Sequence, residues 1–345
     1  MMKLRVVIIG LGTISEMHAK SYHANKQAEL YGVCDRNEER AMTVAGQYGV
    51  EKIYTDAKEV FADDQVDAIS ICTWNNSHAE LAIAAIKAGK HVLVEKPVAM
   101  TVEEAEKIKE VVDQNTAILQ VGYVRRFGEN ALVLKKFIDS DKLGDIYYAK
   151  ASLLRRIGNP GGWFADKARS GGGPLIDLGV HIIDACWYLM GRPKVKSITG
   201  HVYSLMGNRG NIENLSFYKT ADYDATTNSV EDLANALITF ENGSSLMVDT
   251  SYSLHLKKDQ IALQVFGTKG GAELEPHLTI VTEENDTILN IDPQIDQSTF
   301  DFDSAFQNQI DAFVQACMTN GPSPAPIEDG IELMKIIQGI YTAAR

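Results

Sequence analysis

The start of the chain carries the pattern that most narrows what it can fold into. Leu4 to Ile9 is a short apolar run that stops at Gly10-Leu11-Gly12-Thr13-Ile14-Ser15, and a helical pattern follows to about residue 24. A strand, a tight glycine turn and a helix in succession give G-x-G-x-x-G/A its physical meaning. Glycine at the first two places lets the backbone turn and approach a pyrophosphate seated on the helix N-terminus. Ser15 stands in the third place, small enough for close packing of helix on strand. Gly10, Gly12, Thr13 and Ile14 are therefore candidate cofactor-binding residues. The next strand, 29–34, delivers Asp35 at its carboxyl end, roughly twenty residues after the turn, where an acidic group receives an adenosine ribose 2′-hydroxyl. Asp35 could instead cap the helix that begins near Asn37. Strand, spacing and turn together favour ribose binding. Arg36 beside it can accept a 2′-phosphate, so NAD is the expected cofactor and NADP stays open.

The alternation continues. Helices are expected over 38–48, to about 61, and over 77–88 and 101–114, with strands near 53 and over 67–72, 91–94 and 117–121. Short apolar strands separated by amphipathic helices mean a parallel sheet covered on both faces. Ligands bind beyond the carboxyl ends of such strands. Polar clusters fall there: Thr73-Trp74-Asn75 with His78, Glu95-Lys96-Pro97, and Tyr123 with Arg125 and Arg126. Thr73, Trp74, Asn75, His78, Glu95 and Lys96 join the candidate cofactor set. His78 is read as a helix-start residue near the cofactor, since no metal-ligand spacing stands out.

After residue 125 the pattern changes. A helix over 129–140, a strand over 145–155 and a Gly/Pro-rich loop with Trp163-Phe164 lead to G-G-G-P-L-I-D-L-G-V-H-I-I-D, residues 171–184. The glycines read as a flexible turn entering a helix with Pro174 at its first position. Asp177, His181 and Asp184 lie at i, i+4 and i+7, on one face of that helix. Two carboxylates and an imidazole on an apolar helix are costly to bury unless paired or functional. Period-2 strands are expected over 194–205, 233–241, 244–253, 260–266, 271–274 and 279–281, with Asn242-Gly243 as a hairpin signal. They suggest a mostly antiparallel sheet. Residues 206–228 read as a polar surface excursion, and two helices, 302–318 and 327–344, close the chain.

With 345 residues, about two domains are expected. A net charge of −13 without a basic run argues against nucleic acid or an anionic membrane as partner. Cys34, Cys72, Cys186 and Cys317 are far apart, the usage of a reduced cytosol and not of a disulfide scaffold or zinc site. No window approaches a membrane span and the N-terminus reads as a strand, so a cytoplasmic location is expected.

Four blocks together resemble the glucose–fructose oxidoreductase/inositol dehydrogenase (Gfo/Idh/MocA) family: G-L-G-T-I-S, A-G-K-H-V-L-V-E-K-P at 88–97, V-G-Y-V-R-R-F at 121–127, and W-F followed by S-G-G-G-P-L-I-D-L-G-V-H-I-I-D. Trp74 departs from it, standing where the family commonly has proline between Thr73 and Asn75. The resemblance implies an α/β protein with an N-terminal Rossmann doubly wound parallel sheet, residues 1–123. It implies a C-terminal α+β domain, 124–345, with a large, mostly antiparallel open sheet that forms a dimer or tetramer interface; the last helices can pack back on the first domain. It further implies that Lys96, Asp177 and His181 are the catalytic set and that the Lys96–Pro97 bond is cis. The expected activity is hydride transfer between NAD(P) and a ring hydroxyl of a cyclitol or sugar. Histidine is well matched to taking the hydroxyl proton near neutral pH, and lysine to stabilising charge on the reacting oxygen. Arg125, Trp163, Asp177, His181 and Asp184 are the expected substrate-binding residues, with Trp163 either capping a sugar or packing. No metal is expected. Two other classes share the fold: a glycosidase that uses bound NAD transiently, and a nucleotide-sensing regulator. The regulator reading predicts loss of the lysine or histidine, and both are present.

Overall fold

Six short apolar runs become six parallel strands, because each of the first five is followed by a helix that crosses back over the sheet. In the computed structural model, which describes residues 3–220, 223–224 and 226–344, the run is β1 (Leu4–Ile9), α1 (Ser15–Ala24), β2 (Ala28–Cys34), α2 (Glu38–Tyr48), β3 (Lys52–Tyr54), α3 (Ala57–Ala62), β4 (Ala68–Ile71), α4 (His78–Lys87), β5 (His91–Glu95), α5 (Val102–Asp113) and β6 (Leu119–Gly122). The strand order is β3-β2-β1-β4-β5-β6. All pairs are parallel, and the order reverses between β1 and β4. Helix starts follow the side chains available: Asn37 accepts the Arg40 N–H and Thr101 the Glu104 N–H, satisfying amides that have no intrahelical partner.

The chain divides into two compact units. The first is the segment ending at Tyr123 together with Phe306–Met334, and the second is Val124–Ala305 with the segment from Lys335 onward. Within the first, Val6, Ile8, Val33 and Leu93 of the sheet share one buried cluster with Ile310, Phe313 and Val314. Those last residues belong to α9 (Phe302–Thr319), so the sheet's hydrophobic face is completed by residues that follow the whole of β7 to β14 in the chain.

The second unit contains α6 (Glu129–Asp139), β7 (Ile146–Leu154), the short α7 (Lys167–Ser170), α8 (Val180–Leu189), then β8 (Val195–Tyr203), β9 (Leu233–Phe240), β10 (Ser245–Ser251), β11 (Gln260–Gly267), β12 (Gly270–Glu275), β13 (Thr279–Glu284) and β14 (Thr287–Ile291), with the end of α10 (Ile327–Ala343). Its eight strands are ordered β14-β13-β12-β11-β7-β10-β9-β8, antiparallel except for β7 beside β10. One face buries Ala151, Val248 and Val265 under α8, and Ile238 beside them, while Leu237 and Met247 of the other are exposed. Gly243, at φ +86°, turns the Asn242-Gly243 hairpin. The excursion after β8 has little regular structure; its residues 221, 222 and 225 lie outside the described ones. Among the described residues no helix is long and apolar enough to cross a membrane.

Two expectations need correction here. Gly172 and Gly173 serve close packing and not flexibility: a Cβ would lie 2.1 Å from Tyr341 Oη at Gly172, and 2.4 Å from the Glu231 carbonyl oxygen at Gly173. The helix they enter also opens with a π turn, Leu175–Gly179, in which the Val180 N–H reaches back five residues to the Leu175 carbonyl. That wider turn alters the 3.6-residue spacing only up to Gly179; Asp177 and His181 both emerge part-exposed, and Asp184 leaves the polar face because it is buried.

Candidate active site

In the first unit the switch between β1 and β4 opens a crevice beyond the carboxyl ends of the strands. Gly10 adopts φ +87°, and a Cβ there would lie 2.9 Å from the Cys72 backbone, so only glycine fits between the two strand ends. Around Gly12 nothing lies within 4 Å of where a Cβ would be, which leaves the backbone open to a ligand. Ser15 is buried and its hydroxyl donates to the Gly12 carbonyl at 2.6 Å, fixing the turn. No side chain caps the start of α1, whose amides face the same end as Thr13 and Ile14. Asp35, ending β2, accepts the Leu11 N–H at 2.8 Å through one oxygen and the Asn37 N–H at 2.8 Å through the other. The helix cap is Asn37 itself. Arg36 is exposed. An open glycine turn, uncapped helix amides and a carboxylate anchored to that turn fit a dinucleotide.

Thr73 is partly exposed and accepts the Ser77 hydroxyl at 2.7 Å, Trp74 is 46% exposed, and Asn75 is buried. Lys96 is partly exposed while every other residue from Val92 to Ala99 is buried, and the Lys96–Pro97 peptide is cis. Two expected cofactor residues turn inward instead. His78 is buried with Nδ1 2.7 Å from the Pro97 carbonyl oxygen and Nε2 3.0 Å from that of Thr73, so neither ring nitrogen serves a ligand. Glu95 is buried against His18, with Oε1 2.9 Å from His18 Nε2.

In the second unit, Asp177 and His181 are the only residues from Gly172 to Trp187 that are not buried. Their backbone is held from behind. The buried Glu231 carboxylate accepts the Gly173 N–H at 2.9 Å and the Leu175 N–H at 3.2 Å, capping the π turn, and also the Tyr341 hydroxyl at 2.8 Å. Asp177 Oδ2 accepts the Tyr252 hydroxyl at 2.8 Å. Burial pushes the Tyr252 hydroxyl well above its ordinary pKa, and the Asp177 charge adds to the shift, so it stays a donor. His181 Nδ1 is buried.

Asp184 is a correction. It is 0% exposed, and Arg126 donates to both of its oxygens, from Nε at 2.9 and 3.1 Å and from Nη2 at 2.5 Å. A carboxylate so enclosed is a structural ion pair and not a substrate contact. Arg125 is likewise engaged, paired with buried Glu275 and lying 4.5 Å over the Phe300 ring, which removes it as a dedicated cation for a substrate. Trp163 is half-buried against Phe164, ring centroids 3.9 Å apart. Sequence reasoning missed Tyr252, Glu231 and His18. Only His18 left a signal, an imidazole one turn before Tyr22 on the inner side of α1.

A doubly wound sheet with an open glycine turn, followed by a mixed α+β unit in which Asp177 and His181 are the part-exposed residues of a buried helix, is the organisation of a nucleotide-dependent oxidoreductase. Residues 4–123 match the model described as "Oxidoreductase family, NAD-binding Rossmann fold", and residues 132–273 that of the "GFO/IDH/MocA C-terminal domain". The chain belongs to the GFO/IDH/MocA oxidoreductase family, an NAD(P)-dependent family of sugar and inositol dehydrogenases. It is 32% identical to the D-glucoside 3-dehydrogenase of Escherichia coli (strain K12) over 344 residues, covering 99% of this chain and 95% of that one. It is 30% identical to the scyllo-inositol 2-dehydrogenase (NAD(+)) of Bacillus subtilis (strain 168) over 328 residues, 93% and 88% of the two. The fold superposes on levoglucosan dehydrogenase in complex with NADH and levoglucosan with a TM-score of 0.87, at 22% identity and covering 99% and 97% of the chains.

Proposed function

We propose that the protein is an NAD-dependent dehydrogenase that oxidises a secondary ring hydroxyl of a sugar or cyclitol, with D-glucosides the first substrates to test. The observation that carries this is the selective exposure of Lys96 in one unit and of Asp177 and His181 in the other, each on an otherwise buried segment. Bound NAD supplies the hydride acceptor. His181 takes the hydroxyl proton at Nε2, its Nδ1 being buried. Asp177, oriented by Tyr252, holds a neighbouring hydroxyl or the imidazole. Lys96 donates to the reacting oxygen and stabilises its developing negative charge. A ring polyol satisfies such groups in pairs, whereas an aliphatic alcohol leaves them buried and unpaired. The Asp35 carboxylate at the ribose end favours NAD over NADP by repelling a 2′-phosphate. The exposed Leu237 and Met247 on the open sheet support assembly into a homo-oligomer through that face, and the four free, buried cysteines suit a reducing cytoplasm.

The test is NAD⁺ reduction with methyl β-D-glucoside, D-glucose, inositols, lactate and a simple secondary alcohol, repeated in Lys96→Ala and His181→Ala. Turnover on ring polyols that falls about a hundredfold to ten-thousandfold in each variant is expected. Turnover of lactate or the simple alcohol alone would overturn the proposal. Release of a free sugar without net NADH formation would point to a glycosidase.

A further inference from the structure

The main chain of Lys96 is gripped from both sides by buried groups that the proposed chemistry leaves unused. On its N-terminal side the Glu95 carboxylate folds back, so that Oε2 accepts the Lys96 N–H at 3.2 Å while Oε1 meets His18 Nε2 at 2.9 Å. His18 is 0% exposed, and its Nδ1 lies 3.3 Å from the Ser70 hydroxyl, which is joined in turn by the Tyr22 hydroxyl at 2.7 Å. Neighbouring β6 makes room for the carboxylate: a Cβ at Gly122 would lie 2.9 Å from Glu95 Oε1. A buried carboxylate needs such donors, and a proton on His18 Nε2 supplies one.

On the C-terminal side stands His78. Its ring spans the carbonyls of Pro97 and Thr73, the residues that follow β5 and β4, at 2.7 and 3.0 Å. Carbonyls only accept, and a neutral imidazole has a single N–H. Packing alone does not call for a buried ring that faces two acceptors and no donor, since an apolar residue of similar size would fill the space without a polar group to satisfy.

We infer that His18 and His78 are positioning residues which, through the Glu95 carboxylate and the Pro97 carbonyl, fix the backbone of Lys96 and so aim its amine. This assignment rests on the role proposed above for Lys96. Misplacing a reacting group by about 1 Å can lower turnover about a hundredfold, so a loosened turn should act on kcat more than on binding.

The experiment compares full-length His18→Leu, His78→Leu, His78→Gln and Lys96→Ala. Each is measured for kcat and KM on the best ring polyol found above, for NAD affinity by fluorescence titration, and, without NAD, for amide hydrogen exchange in the peptide spanning 92–99. Both leucine variants should lose about tenfold to a hundredfold in kcat, with KM and NAD affinity nearly unchanged and faster exchange at 95–98. His78→Gln should return to within about threefold of wild type, because its amide carries two hydrogens, one for each carbonyl. If His78→Leu does not fold, His78→Asn, too short to span both carbonyls, takes its place. Leucine variants with wild-type kcat and exchange beside an inactive Lys96→Ala overturn the positioning role alone, as does His78→Gln as impaired as His78→Leu. A fully active Lys96→Ala overturns the role of Lys96 itself.

Discussion

Removing the Asp184 charge separates a structural role from a substrate-binding one. The carboxylate and the Arg126 guanidinium have side-chain exposures of 1% and 2%, so water replaces neither partner when the other is lost. Arg126 also lies 4.6 Å over the Tyr188 ring, which holds it in place. Breaking a buried pair typically costs about 3–5 kcal/mol, because the survivor is left charged and desolvated. Asp184→Asn keeps one acceptor oxygen and should fall near the lower end of that range, about 3 kcal/mol; Arg126→Met should fall higher. For a unit of this size each kcal/mol moves the midpoint by about 2–4 °C, so Asp184→Asn should melt roughly 6–12 °C lower. The double variant Arg126→Met/Asp184→Leu should recover most of the loss, since an apolar replacement of a buried pair is often neutral or better. Differential scanning calorimetry reads the midpoints, and steady-state kinetics well below them reads KM. A Tm within a degree of wild type combined with a KM raised tenfold or more would refute the structural assignment and return Asp184 to the substrate site.

Tyr252→Phe removes the hydroxyl that orients Asp177 and should lower kcat by roughly tenfold, the equivalent of one buried hydrogen bond, with little change in Tm; unchanged kcat would leave Asp177 without its proposed support. Burial lowers the pKa of His78, and of His91, below that of a free imidazole. The folded protein then binds fewer protons than the unfolded chain, so stability is full above about pH 6.5 and falls as pH drops through the lowered values. The denaturant midpoint should therefore decrease on acidification, less so in His78→Gln, and a midpoint that rises toward acid would contradict this. Burial pushes the Cys34 and Cys317 thiols up to about 12 and raises those of Cys72 and Cys186 as well. None should react with a thiol-specific disulfide reagent until the protein unfolds, and rapid labelling of the native state would show one of these thiols to be accessible.

The first unit was legible because each strand ends in its own punctuation: Gly10, Asp35, Thr73 and Lys96 all stand at carboxyl ends where the apolar runs stop. Helix α2 was bounded correctly at both ends, its caps being local in sequence. What stayed hidden depends on distant partners. Tyr252 acquires meaning only from Asp177, 75 residues away, and Glu95 only from His18, 77 away. Asp184 looked like Asp177 because apolar periodicity records which residues avoid water, and a carboxylate enclosed by arginine breaks that period as a surface one does. The π turn is a change of hydrogen-bond register, to which the same periodicity is blind. Strand β14 was missed because Thr287–Asn290 is exposed throughout and shows no alternation; its hairpin is made by Asn285 and Asp286, both at positive φ, without the glycine that usually marks such a turn.

The first unit is discontinuous: its sheet is finished by Ile310, Phe313 and Val314, which a ribosome delivers only after residues 124–305 of the second unit have been made. Until then the layer over Val6, Ile8 and Val33 holds Ala19 and Tyr22 of α1 and Ala41 and Ala45 of α2 but lacks its last helix. A fragment stopping at residue 123 would carry every glycine and carboxylate of the dinucleotide turn and still expose the part of that face which Ile310, Phe313 and Val314 cover. Any attempt to isolate the cofactor half must therefore graft residues 306–334 back onto it, and the second unit is discontinuous too, since it waits for the segment from Lys335 onward that brings Tyr341 to Glu231.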